Sequence, residues 1–228
     1  MRVTSPHNLK AGTGDGIIAR KVRVKICGIT SPDQAAQIAA IGVDAIGLVF
    51  YPSSPRYVEL ERARAIAMAV GPLVTVVGLF VDATRSNVED VVQKVPLNTL
   101  QFHGNETAAF CRSFNRPVIK AIRMRKGLDL SKLMDDYEAA SGFLLDAYKP
   151  GQPGGTGETF EWSRVPKRLS KPVILAGGLS PENVSGAIAL TQPYAVDVSS
   201  GVETAPGEKD LEKVASFLQS AKLPTCKI

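Results

Sequence analysis

Eight short runs rich in Val, Ile and Leu recur along this 228-residue chain, and their spacing constrains the fold more than any other feature. They are VRVKIC (22–27), DAIGLVF (44–50), LVTVVGLF (73–80), NTLQF (98–102), PVIKAI (117–122), GFLLD (142–146), PVILAG (172–177) and YAVDVSS (194–200). Between most of them lie amphipathic helical patterns such as SPDQAAQIAAIG, ELERARAIAMAVG, SNVEDVVQKV and SPENVSGAIAL. Ser31-Pro32 and Ser180-Pro181 are helix-start signals, because proline at the first helical position gives up an N–H that would have no partner there. The runs begin roughly 19 to 30 residues apart, the length of one β/α unit, and unbroken apolar strands suit a parallel sheet buried on both faces. Eight such units predict a single (β/α)8 TIM barrel at the small end of its size range. A doubly wound open sheet is the competitor, but it usually has about five or six strands.

Composition narrows the class. With 44% hydrophobic and 21% charged residues, the chain reads as one soluble domain, residues 21–228, able to bury its own core. No apolar run reaches the roughly 18 residues of a membrane span. The first 20 residues, MRVTSPHNLKAGTGDGIIAR, lack the apolar centre of a secretory signal and read as a flexible extension. Cys27, Cys111 and Cys226 are odd in number and far apart, so they suggest no disulfide framework, and a reducing cytoplasm is the expected compartment. The net charge of +5 suits an anionic ligand, yet no Lys/Arg block or basic stripe points to nucleic acid.

In a barrel of this kind the chemistry sits at the C-terminal ends of the strands. Those ends carry Cys27, the YPSSPRYV loop with Arg56, Asp82, His103, Arg123, Asp146, Gly177-Gly178, and SSGVE from Ser199. The last three strand-to-helix loops are rich in glycine: QPGGTGETFEW, AGGLSPENV and SSGVETAPGEKD. Glycines let backbone N–H groups close on an anion. A phosphate site is therefore expected from Gly154, Gly155, Thr156, Gly157, Gly177, Gly178, Ser200 and Gly201. In the first strand, Val22, Val24 and Ile26 point one way and Arg23, Lys25 and Cys27 the other. If the apolar set faces the helices, Lys25 lies inside the barrel and needs a partner. The last strand closes against the first, so a structural Lys25–Asp197 ion pair is predicted.

KICGIT, GLVFYPSSPRYV, VGLFVD, LQFHGNE, FLLDA, GGTGETFEW, ILAGGLSPENV and VDVSSGVETAPGEKD, in this order over residues 22–218, resemble the motif series of the phosphoribosylanthranilate isomerase family of tryptophan biosynthesis. The resemblance implies an Amadori rearrangement of N-(5'-phosphoribosyl)anthranilate to 1-(o-carboxyphenylamino)-1-deoxyribulose 5-phosphate, with no metal and no organic cofactor. It also implies Cys27 as general base and Asp146 as general acid. Arg56 suits the anthranilate carboxylate, since a guanidinium binds it bidentately. His103 is expected to line the site or bond the ligand, and Arg123 to meet the ligand's negative charge. A partly ionised Cys27, helped by nearby cations, would fit the base.

The nearest rival is the ribotide isomerase of histidine biosynthesis, which uses two aspartates and two phosphate sites. Cys27 and the lack of glycine clusters in the first half argue against it. A metal-dependent pentose-phosphate epimerase needs convergent His and Asp ligands, whereas only His7 and His103 are present. A non-catalytic phosphate-binding barrel or a scaffold for other pathway enzymes is a different class, and the Cys27/Asp146 pair speaks against it. The expected partner is thus a small phosphorylated substrate, with no nucleic acid and no membrane. Apolar helix faces leave room for a homodimer or for other pathway enzymes.

Overall fold

The computed structural model describes residues 21–147, 161–166 and 169–222. Eight parallel strands close into a barrel in chain order: β1 (Arg23–Cys27), β2 (Ala45–Val49), β3 (Thr75–Phe80), β4 (Thr99–Phe102), β5 (Val118–Arg123), β6 (Gly142–Asp146), β7 (Val173–Leu175) and β8 (Ala195–Val198). Each lies within one of the eight apolar runs, apart from the last residue of β5. The surrounding helices are α1 (Pro32–Ile41), α2 (Leu60–Ala69), α3 (Arg85–Lys94), α4 (Ala108–Arg112), α5 (Leu130–Asp136), α6 (Val184–Thr191) and α7 (Leu211–Lys222). A short 3₁₀ turn, Trp162–Arg164, stands between β6 and β7, and a two-stranded hairpin of β9 (Glu203–Ala205) and β10 (Glu208–Lys209) follows β8. Among the described residues no helix is long and apolar enough to cross a membrane.

Local chemistry sets the helix ends. Ser31 caps α1 by accepting from the Gln34 N–H, and Pro32 occupies the first helical position. Thr84, Thr107 and Asp129 cap α3, α4 and α5 in the same way. The Ser180-Pro181 signal is displaced by one turn, since α6 begins only at Val184. The cause is Asn183, whose side chain turns back to bond the Ser180 N–H at 2.8 Å and the Gly178 carbonyl at 2.8 Å. That asparagine spends its side chain on holding the loop after β7 in place.

The strand alternation sorts residues into two compartments. Outward residues such as Val24, Ile26, Ile46, Phe80, Phe102 and Phe143 pack against the helices in one continuous core. Phe50 stacks on Phe80 at 5.3 Å between ring centres, and Phe102 meets Phe110 edge-on at 5.3 Å, joining three strands to α4. Inward residues Val77, Ile119, Ala121, Leu144, Ile174, Ala176 and Ala195 fill the barrel's centre. This plug carries the floor on which the polar residues of the upper layer stand.

Candidate active site

The β1–β8 register sets Lys25 beside Asp197, and Lys25 Nζ lies 2.9 Å from Asp197 Oδ1 inside the barrel. Burial works against the charge on Lys25, but Asp197 and Cys27 together outweigh it and hold the ammonium above its usual range. Burial likewise pushes the Asp197 carboxyl up, and Lys25 opposes it only in part. One residue further up the same face, Cys27 stands level with Gly47 of β2. A methyl on Gly47 would sit 2.7 Å from Cys27 Sγ and 3.2 Å from Lys25 Nζ, so only glycine leaves room for both groups. Burial pushes the Cys27 thiol up, with Lys25 pulling it back only in part. The expected cations are present, but desolvation is the larger effect. Cys111, between α4 and the barrel, is a buried filler whose thiol burial drives up to about 11.

Across the mouth, Asp146 ends β6, 5% exposed. One carboxylate oxygen accepts from its neighbour's N–H, Ala147, at 2.9 Å, and the other lies 3.1 Å from His103 Nε2. The far ring nitrogen of His103 is 3.2 Å from the Gln101 amide nitrogen. The Gln101 amide thus holds the ring so that Nε2 faces Asp146. A cavity of about 430 Å³ opens between these groups, lined by Cys27, Arg56, Gln101, His103, Asp146 and Asp197. Its rim includes Gly177, Gly178, Ser200 and Gly201. Gly177 and Gly178 have φ of 80° and 63°, a left-handed backbone that turns the chain sharply away from β7. Gly154, Gly155, Thr156 and Gly157 lie outside the described residues.

Arg56 reaches the rim because the loop after β2 doubles back, with the Val58 N–H bonding the Val49 carbonyl at 3.1 Å. Its guanidinium is already engaged: Nε and Nη2 donate to the two oxygens of Glu203 at 2.8 and 2.6 Å. Nη1 stays outside that pair. Arg123 does not line the cavity. Its Nη2 donates to the His103 carbonyl at 3.1 Å, and its Nε is buried with no partner among the described residues. Asp82, at φ 49°, accepts from the Asn105 N–H at 2.6 Å and so braces the loop after β4.

Sequence reasoning passed over three sets of buried polar groups. Gln101 orients His103. Lys120 and Glu106 pair at 2.9 Å on the outer side of the barrel, and Glu106 also accepts from the Asp82 and Gly104 N–H groups, fixing the loop that carries His103. Glu203 and Lys209 pair at 2.5 Å across the β9–β10 hairpin. Burial alone would raise Glu203, but Arg56 and Lys209 together hold its carboxyl below the ordinary value. The signal for Lys120 was its place among the outward apolar residues of VIKAI, where a lysine cannot stand without a partner.

A closed parallel barrel with a thiol and a carboxyl facing one glycine-rimmed cavity has the architecture of the (β/α)8-barrel enzymes. The model of the family N-(5'-phosphoribosyl)anthranilate (PRA) isomerase matches residues 24–220. Proteins of that name are 56% identical in Cellvibrio japonicus over 202 residues (89% of this chain, 94% of the relative) and 58% identical in Azotobacter vinelandii over 201 residues (88% and 98%). The crystal structure of phosphoribosyl anthranilate isomerase from Thermotoga maritima superposes with a TM-score of 0.81 at 42% identity, covering 88% of this chain and 98% of that one. A second solved isomerase, in complex with reduced 1-(o-carboxyphenylamino)-1-deoxyribulose 5-phosphate, gives 0.77 at 39% identity with the same coverage. The chain belongs to the N-(5'-phosphoribosyl)anthranilate isomerase family and is an isomerase of tryptophan biosynthesis.

Proposed function

We propose that Cys27 and Asp146 carry the Amadori rearrangement of N-(5'-phosphoribosyl)anthranilate as general base and general acid. The observation behind this is that the two side chains end β1 and β6 and open on one cavity. Asp146 protonates the furanose ring oxygen, the C–O bond breaks, and the anilinic nitrogen's lone pair forms the C1' imine. Cys27 then removes the C2' proton, and the electron pair moves through the imine to give the enolamine, which tautomerises to the 2'-ketone. Atoms and charge balance without any added reactant: one ring C–O bond opens and protons are relocated, with no change in composition. A buried thiol above its ordinary pKa is a stronger base once it has lost its proton, and Lys25 below it is the cation that favours that loss.

Gly177, Gly178, Ser200 and Gly201 at the rim are the described part of the phosphate cradle, and Gly154, Gly155, Thr156 and Gly157 are proposed to complete it. Arg56 takes the anthranilate carboxylate through the edge that Glu203 leaves open. His103 acts on Asp146 as a hydrogen-bond partner, while Arg123 supports His103 through its carbonyl. The ligand is a small phosphorylated molecule, and the compartment is the cytoplasm.

The test is turnover of freshly generated substrate, with no metal added, by the full chain, Cys27→Ala and Asp146→Asn. Each variant should fold and lose about 10²–10⁴ in kcat. A folded Cys27→Ala or Asp146→Asn variant with near-parental kcat would remove that residue from the mechanism.

A further inference from the structure

A guanidinium bound bidentately to a carboxylate is a neutral unit. Arg56 and Glu203 form such a unit at the rim of the cavity, and by themselves they would exert no net pull on an anion. The structure adds a third charge. Lys209 Nζ, on a residue 5% exposed, sits 2.5 Å from the same Glu203 oxygen that Arg56 Nε bonds. It also donates to the Ser199 carbonyl and hydroxyl, both at 3.2 Å, and that hydroxyl donates to the Cys27 carbonyl at 3.0 Å. The Gly207 N–H closes the fourth bond to Glu203 at 3.2 Å. A buried cation and a half-buried one therefore share one carboxylate, and the hairpin Glu203–Lys209 holds the group in place.

We propose that Lys209 is a specificity-determining positioning residue: it neutralises Glu203, so that Arg56 keeps a net positive charge toward the ligand's ring carboxylate. Glu203 fixes the guanidinium, and Lys209 returns the charge that this fixing would cancel. The two tasks are divided because one carboxylate cannot both clamp Arg56 and leave it cationic. Lys209 acts on the carboxylate end of the ligand and not on its phosphate, which faces the glycine rim. This rests on the reading of Arg56 given above.

The experiment measures calorimetric Kd values for two ligands on the full chain: reduced 1-(o-carboxyphenylamino)-1-deoxyribulose 5-phosphate, and its phenylamino counterpart without the ring carboxyl. Lys209→Gln keeps a hydrogen-bond donor and drops the charge, and Lys209→Met is a second uncharged variant should the first not fold. The expected result is about tenfold weaker binding of the carboxylated ligand, with the carboxyl-free ligand within about twofold of the parent. The loss should appear in KM more than in kcat, and Lys209→Arg should restore it. Equal weakening of both ligands, or of neither, overturns the proposal. Arg56→Met separates the underlying reading: if it leaves the carboxylated ligand's Kd unchanged, the assignment of Arg56 itself is wrong.

Discussion

Gly47→Ala is the smallest change that probes the thiol directly. The added methyl would lie 2.7 Å from Cys27 Sγ, 3.1 Å from Cys27 Cα and 3.2 Å from Lys25 Nζ. Carbon and its neighbours rest at about 3.5–4.0 Å, so the sulfur must retreat by about 1 Å. Retreat is obstructed, because the Cα of the same residue is also pressed and Lys25 is tied to Asp197. Overpacking of this kind costs about 1–3 kcal/mol, which for a chain of this size lowers the melting point by about 2–12 °C. A reacting group displaced by about 1 Å loses about 10²-fold in rate. The assay is single-turnover disappearance of the substrate's anthranilate fluorescence, beside thermal melts of the same samples. Gly186→Ala, in α6 where a methyl meets nothing within 4 Å, is the control and should gain about 0.5–1 kcal/mol. A Gly47→Ala protein that melts with its parent and turns over within threefold of it would refute the idea that this gap positions the thiol.

Other expectations follow from the same geometry. Lys25→Met leaves Asp197 buried without its ion partner and should cost about 3–5 kcal/mol in urea unfolding, most of it regained in Lys25→Met/Asp197→Leu; a double variant as unstable as the single one would contradict this. Because burial raises the Cys27 thiol and the base acts deprotonated, kcat/KM should climb with pH through a pKa above the roughly 8.5 of free cysteine. A rising limb already complete at neutral pH would show that desolvation does not govern the thiol. Thr84→Ala removes the side-chain acceptor for the Asn87 N–H and should lower stability by about 1 kcal/mol without touching kcat.

How much of this could be read in advance varied by physical cause. The strands were legible because each is buried on both faces and so apolar throughout, and the alternation in VRVKIC was enough to send Lys25 inward. Barrel closure then left β8 as its neighbour. Lys120 was harder, since it breaks the rule that outward residues are apolar, and its partner Glu106 comes from a loop. Lys209 and Glu203 were harder still. They meet only because Pro206-Gly207 reverses the chain, and a pairing six positions apart across a two-residue turn has no periodicity to betray it. The cations near Cys27 could be guessed from sequence, whereas the depth of its burial, which opposes them, could not.

The bond between Lys25 and Asp197 joins residues 172 positions apart, at the seam where the first strand meets the last. At about 5–20 residues per second of synthesis, β1 waits about 10–30 s before β8 exists to cover its open side. Throughout that interval the thiol lacks the cavity it lines in the closed barrel, and the ammonium beneath it lacks its counter-ion. A chain cut short before Asp197 therefore carries Cys27 but not the buried ion pair beneath it. Closure of the seam acts as a completeness check: the ribosome must deliver the last strand before the cavity over the first one exists.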